Sequence, residues 1–188
     1  MVPKEYYGRL FTKEQLEVDY HPEALTLESM IKVDKQLRCK RCYSWIEEDW
    51  QLPGGQYYCR ACIVFGRNQE GKELYYFPSK TSEIEFPVLK WFGELTPYQA
   101  KVSEKLLRTY QKQKDSLVHA VTGAGKTEMI YNIVAYVLEN KGHVAIASPR
   151  VDVCRELFLR MKRDFTCSIS LLHAESEPYD GSPLVIAT

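Results

Sequence analysis

"AVTGAGKTEM", residues 120–129, lies between an apolar run, "SLVHAV" (116–121), and a longer one, "KTEMIYNIVAYVLENKG" (126–142). Strand, glycine-rich loop and helix is the order in which a phosphate-binding loop is built, and its usual pattern is G-x-x-x-x-G-K-[ST]. Alanine stands in the first position here, as Ala120. The chemistry sits in the later half. Gly123 and Gly125 let the backbone bend close around a phosphate and turn its N–H groups inward. Lys126 is placed to reach the β- and γ-phosphates, and Thr127 offers a hydroxyl to Mg²⁺. The helix that follows presents its positive end to the phosphate charge. Thr122, Gly123, Ala124, Gly125, Lys126 and Thr127 are therefore the candidate contacts to ATP and Mg²⁺, with Lys126 and Thr127 the candidate catalytic pair. A chance glycine-lysine turn would not carry a strand and a helix in place on either side.

Outward from the loop the same alternation continues. "LTPYQAKVSEKLLRTYQKQK" (95–114) offers Thr96 as helix N-cap and Pro97 at the first helical position. The helix after the loop is expected to close at Gly142 in C-cap position. Then come a strand "HVAIAS" (143–148), a helix "VDVCRELFLRMKRDF" (151–165), and strands "SISLL" (168–172) and "PLVIAT" (183–188). Strands alternating with helices predict right-handed crossovers and a parallel sheet, an α/β fold.

Four of the six cysteines stand earlier, in "CKRCYSWIEEDWQLPGGQYYCRAC" (39–62). Cys39-x2-Cys42 and Cys59-x2-Cys62 can each turn tightly and present two thiolates to one tetrahedral Zn²⁺. The sixteen residues between them turn at Gly54–Gly55, which suits a hairpin that brings the pairs together. Four thiolates fill every coordination position, so the zinc is expected to be structural. Disulfides fit a reducing compartment poorly, and a thioredoxin-type motif calls for one pair beside a βαβ unit. Cys154 and Cys167 read as small core residues. Such zinc modules bind DNA, RNA or protein, so the metal alone does not name a function.

The 188 residues suffice for one ordinary domain and a small module, and 45% hydrophobic against 27% charged residues is the balance of a globular chain. No apolar run approaches the roughly 20 residues of a membrane span. "MVPKEYYGRLFTKEQ" holds no apolar signal core, so cytosol is the expected compartment. Basic and acidic residues balance at 25 each, so any nucleic-acid surface must be a local patch. Lys35, Arg38, Lys40 and Arg41 crowd the first cysteine pair, with Arg60 and Arg67 as further candidates. Tyr43, Trp45 and Tyr58 could stack on bases or pack inside the hairpin; both readings stay open.

"VTGAGKTE" resembles motif I of the superfamily 2 helicases and translocases. In that resemblance Gln99 of "LTPYQ" is the adenine reader. Arg150 of "ASPRVDV" (147–153) and Thr188 of "LVIAT" (184–188) match backbone contacts to a bound strand. Replication-restart helicases of the PriA type have a similar loop, but their zinc cysteines lie after the first lobe. A four-cysteine module ahead of the lobe resembles instead the ComFA family of late competence proteins, the ATPases of DNA uptake in Gram-positive bacteria. The resemblance implies an ATP-driven motor on single-stranded DNA, cytoplasmic or peripheral to the inner face of the membrane, working beside other DNA-uptake proteins. No Walker B carboxylates, second lobe or arginine finger follow Thr188, so the chain reads as an N-terminal fragment that does not hydrolyse ATP by itself. A non-enzymatic zinc module that binds DNA or a partner protein is the rival from another class.

The expected organisation is an unassigned segment 1–32, a zinc-ribbon-like module 33–68, strand pieces and linker 69–93, and part of a RecA-like lobe 94–188, with α/β architecture and a parallel sheet.

Overall fold

The computed structural model describes residues 2–17, 22–80, 84–177 and 179–188, and the chain divides into two compact units, Met1–Lys80 and Thr81–Thr188. The first unit contains β1 (Arg9–Thr12), β2 (Leu25–Glu28), β3 (Met30–Val33), β4 (Gln36–Cys39) and β5 (Glu73–Phe77). β5 is the central strand of an antiparallel sheet in the order β1–β5–β2. "ELYYF" buries Leu74 and Phe77 completely, and Phe77 packs edge-on against Tyr6, their centroids 5.2 Å apart. Segments 1–32 and 69–93, read separately from the sequence, thus share one sheet and one aromatic core. β3 and β4 form a hairpin in which Val33 faces Gln36, leaving Asp34-Lys35 as a two-residue loop. Both loop residues have positive φ, 46° and 72°, the geometry whose twist matches that of the flanking strands.

The second unit contains α1 (Pro97–Gln111), α2 (Lys126–Met129), α3 (Tyr131–Glu139), β6 (Val144–Ala147), α4 (Val151–Asp164), β7 (Ile169–Leu172) and β8 (Leu184–Ala187). The expected parallel sheet is present, in the order β6–β8–β7, with Leu184 opposite both Val144 and Ile169. As the middle strand, β8 buries Leu184 and Ile186 completely. They pack with Tyr131, Val134 and Leu138 of α3 and with Cys154 and Met161 of α4. Val88 and Trp91 join the same core, so the expected linker holds core residues of this unit.

Three local expectations are corrected. "SLVHAV" is not in a strand, and Leu117 and Val121 stand 97% and 76% exposed. A parallel strand is held by its neighbours' backbone, and among the described residues none lies beside this one. The helix after the phosphate loop is interrupted at Ile130. At its end the left-handed residue is Lys141, φ 61°, and not Gly142. Gly142 is required for space: its N–H donates to the Val137 carbonyl at 2.8 Å, and a Cβ there would lie 2.9 Å from that oxygen. Among the described residues no helix is long and apolar enough to cross a membrane.

Candidate metal centre and phosphate loop

The four cysteines come together as the spacing predicts. Their sulfurs all lie within 4.8 Å of one another, Cys39 to Cys62 at 3.8 Å and Cys42 to Cys59 at 3.5 Å. A tetrahedron with Zn–S bonds of about 2.3 Å has edges of about 3.8 Å. The donor set therefore fits a thiolate-bound ion. The first knuckle is made by β4 running into a turn: the Tyr43 N–H donates to the Cys39 carbonyl and the Cys39 N–H to Ser44, each at 2.9 Å. Tyr43 takes the left-handed conformation, φ 61°, to close it. The intervening segment turns at Gly55 (φ 88°), whose N–H donates to Leu52 at 2.9 Å, and Gln51 bridges Tyr57. Around the sulfurs the buried apolar residues, among those described, are Met30 and the cysteines, with Leu37, Ile46, Trp50 and Tyr57 partly covered. So small a core needs a staple.

The thiols differ in electrostatics. Burial pushes Cys59 and Cys62 up, and at Cys62 the Arg41 guanidinium pulls back down. At Cys42 burial also opposes ionisation, but hydrogen bonds with Ser44, Cys59 and Cys39 together outweigh it and bring the thiol down to about 6. A metal bound by these four sulfurs would have to displace the protons of the thiols.

In the phosphate loop Gly123 and Gly125 take φ of 80° and 72°, the left-handed region read from the motif. Thr122, Gly123 and Lys126 are exposed, and Ala124, Gly125 and Thr127 half-buried. The Lys126 ammonium donates to the carbonyls of Ala120 at 3.1 Å and Val121 at 2.8 Å, curling over the loop. Thr96 caps α1 as expected, its hydroxyl accepting from the Gln99 N–H at 3.3 Å while Gln99 Oε1 accepts from the Thr96 N–H at 2.8 Å. The other end of the Gln99 amide donates to the Ala124 carbonyl at 3.0 Å. One side chain therefore ties the start of α1 to the phosphate loop.

Residues 92–179 match the family "Type III restriction enzyme, res subunit", a helicase-like domain. Over 98% of its length the chain is 54% identical to the competence protein ComFA of Streptococcus pneumoniae, and over 95% it is 33% identical to ComFA of Bacillus subtilis. The chain belongs to the ComFA family. It spans 42% and 40% of the length of these two ComFA relatives. No solved structure matches it.

The strand-contact candidates of this ComFA-family chain are placed unequally. Arg38 lies with its guanidinium 5.4 Å from the Tyr43 ring centroid and 5.2 Å from that of Trp45, and both rings are exposed. These two rings are not hairpin core. Tyr58 is flanked by Arg60 and Arg67, and Arg60 is also held by Asp49 at 3.0 Å. Lys40 is half-buried, its N–H donating to Ser29 at 2.9 Å. Arg41 turns onto the Cys62 sulfur of the cysteine cluster. Arg150 starts α4 and forks onto Asp152, Nε at 3.1 Å. Thr188 follows β8, exposed, its N–H donating to Leu172 at 3.1 Å. Sequence reasoning missed Asn68, fully buried with its amide 3.1 Å from the Cys39 sulfur, because no motif marks it. It also missed Arg160, which pairs at 3.0 Å with Glu128 behind the phosphate loop.

Proposed function

We propose that this chain carries the zinc module and the first part of the RecA-like ATP-binding lobe of a DNA-dependent ATPase, one that moves single-stranded DNA during natural competence. The observation that carries this reading is the junction of Gln99 with the phosphate loop, in a chain 54% identical to a competence protein. In this reading the Lys126 ammonium leaves the carbonyls of Ala120 and Val121 for the β- and γ-phosphates. Both sets of partners are oxygen acceptors, so the exchange needs only a side-chain rotation. Thr127 holds Mg²⁺, and the amides of the glycine loop receive the phosphate oxygens. Gln99 reads the adenine and reports its presence to Ala124 through the amide it already shares.

Cys39, Cys42, Cys59 and Cys62 would hold one Zn²⁺, which supplies folding energy and no reaction step, since no coordination position stays open. The resulting zinc-ribbon-like module holds Arg38 against two exposed aromatic rings, a cation and π-surface together. That pairing suits backbone phosphate and unstacked bases of any sequence. Lys35 and Lys40 add charge beside it, and Arg150 and Thr188 are the candidate contacts on the lobe.

The test uses the full-length protein and its ATP hydrolysis with and without single-stranded DNA. DNA-stimulated turnover is expected, and Lys126→Ala is expected to abolish it while zinc content and most DNA binding persist. Arg38→Ala together with Trp45→Ala should weaken DNA binding and flatten its salt dependence. Normal turnover by Lys126→Ala would sink the phosphate-loop reading. Unchanged affinity in the Arg38/Trp45 variant would turn the zinc module into a protein-contact module instead.

A further inference from the structure

Arg41 sits beside Cys42 in sequence, yet its guanidinium reaches across to the other knuckle. Nε and Nη2 lie 3.3 and 3.2 Å from the Cys62 sulfur. Nη2 also donates to the carbonyls of Cys62, at 2.8 Å, and Gly66, and Nη1 donates to that of Phe65 at 2.6 Å. The planar fork therefore grips the turn 62–66, in which Gly66 holds a φ of 86°. At another sulfur of the cluster, Asn68 Nδ2 lies 3.1 Å from Cys39 Sγ and 2.9 Å from the Ser29 carbonyl.

Four thiolates around a divalent cation leave a net charge of about −2 in a site whose Cys39 and Cys59 are wholly buried. A buried charge is costly unless paired and hydrogen-bonded. An N–H donor on sulfur withdraws part of that charge, and a guanidinium brings a full positive one.

We propose that Arg41 is a positioning residue of the four-thiolate centre and not a nucleic-acid contact; this rests on the zinc reading above. It offsets the charge at Cys62, and it fixes the second knuckle so that the sulfur arrives in tetrahedral position. Asn68 does the neutral half of the same work at Cys39. The role needs arginine: a lysine ammonium carries the charge but cannot span a sulfur and three carbonyls from one plane.

The experiment follows metal retention in the full-length protein, with zinc against a competing chelator and with Co²⁺ as an optical probe of thiolate ligation. Arg41→Ala is expected to lose zinc about 10- to 100-fold more readily, as second-shell changes commonly do. Its sulfur-to-cobalt absorption band should shift, because a thiolate loses two donors. Arg41→Lys should fall between, with a shifted band, and it decides the matter should the alanine variant fail to fold. Lys32→Ala, which removes one positive charge from the same hairpin, should leave retention and band at wild type. Wild-type retention and an unshifted band in both Arg41 variants overturn the proposal while the zinc centre stands. Wild-type protein that takes up no metal overturns both.

Discussion

Gly125 is the residue where the candidate nucleotide site is most tightly constrained. Its φ is 72°, and a Cβ there would lie 2.3 Å from Gln99 Nε2. Gly125→Ala therefore meets backbone strain and a collision with the side chain that links α1 to the loop. Such strain costs about 1–3 kcal/mol, so nucleotide affinity should fall about tenfold or more. A fluorescent-nucleotide titration of the full-length protein measures it; unchanged affinity would mean that the loop does not hold phosphate. Gln99→Ala should cost α1 about 1 kcal/mol by opening the cap, besides weakening nucleotide binding. How much of this was legible varies from residue to residue. The left-handed glycines follow from the motif because only glycine reaches that conformation freely. The capping of α1 by Thr96 follows from "TPYQ". The bond from Gln99 to Ala124 spans 25 residues and no local pattern encodes it. The orientation of Arg41 is hidden for a related reason: four basic residues within seven positions look alike in sequence, and only the fold turns one of them onto sulfur.

At the scale of elements, α3, α4 and the parallel sheet were readable because their apolar periods are long and end in clear punctuation. The run 116–121 was apolar enough to be a strand, but a strand is a property of a pair, and one sequence segment does not carry its partner. The amides of 116–119 should accordingly exchange with solvent far faster than those of β6, whose residues 144–147 pair along β8; equal protection would contradict the exposed placement. α4 ends on a group that ties stability to pH. Asp164 accepts from Arg163 at 2.7 and 2.9 Å and from the Tyr131 hydroxyl at 2.7 Å. The Arg163 guanidinium holds the carboxyl below its usual range against the opposing effect of burial, with the Tyr131 hydroxyl helping. A carboxylate whose folded value lies below its unfolded one adds stability that is complete above the unfolded value, about pH 4, and is lost as pH falls through the folded value. Melting of the second unit should therefore be insensitive to this group from neutral pH down to about 5 and decline below about 4. Asp164→Asn should lower stability at neutral pH and flatten that acid limb. A variant with the same acid limb as wild type would remove Asp164 from the account.

For the molecule as a whole, the two units are built on different economies of burial. Among the described residues the second unit has a core cluster of ten buried residues drawn from helices, strands and the segment before α1. The first divides its apolar side chains between an aromatic cluster around Phe77 and a metal-site cluster whose buried members are Met30 and three cysteines. Folding of residues 33–68 is then expected to depend on a bound ion, since little besides the cysteines themselves is buried there. Removing metal from the full-length protein with a chelator should expose cleavage sites between about residues 33 and 68 while β6, β8 and β7 stay protected. Cys42→Ser should do the same without chelator, because it removes one of the four sulfurs of the cluster. Limited proteolysis read by mass spectrometry follows both units in one digest. The aromatic sheet is the internal control within the first unit: β1 and β5 pair over Arg9–Thr12 without any sulfur, so cleavage there should rise less than in 33–68. If metal removal opened the parallel sheet as readily as the cysteine module, the ion would be supporting the whole chain rather than its own knuckles, and the separation of zinc from ATP binding would fail with it.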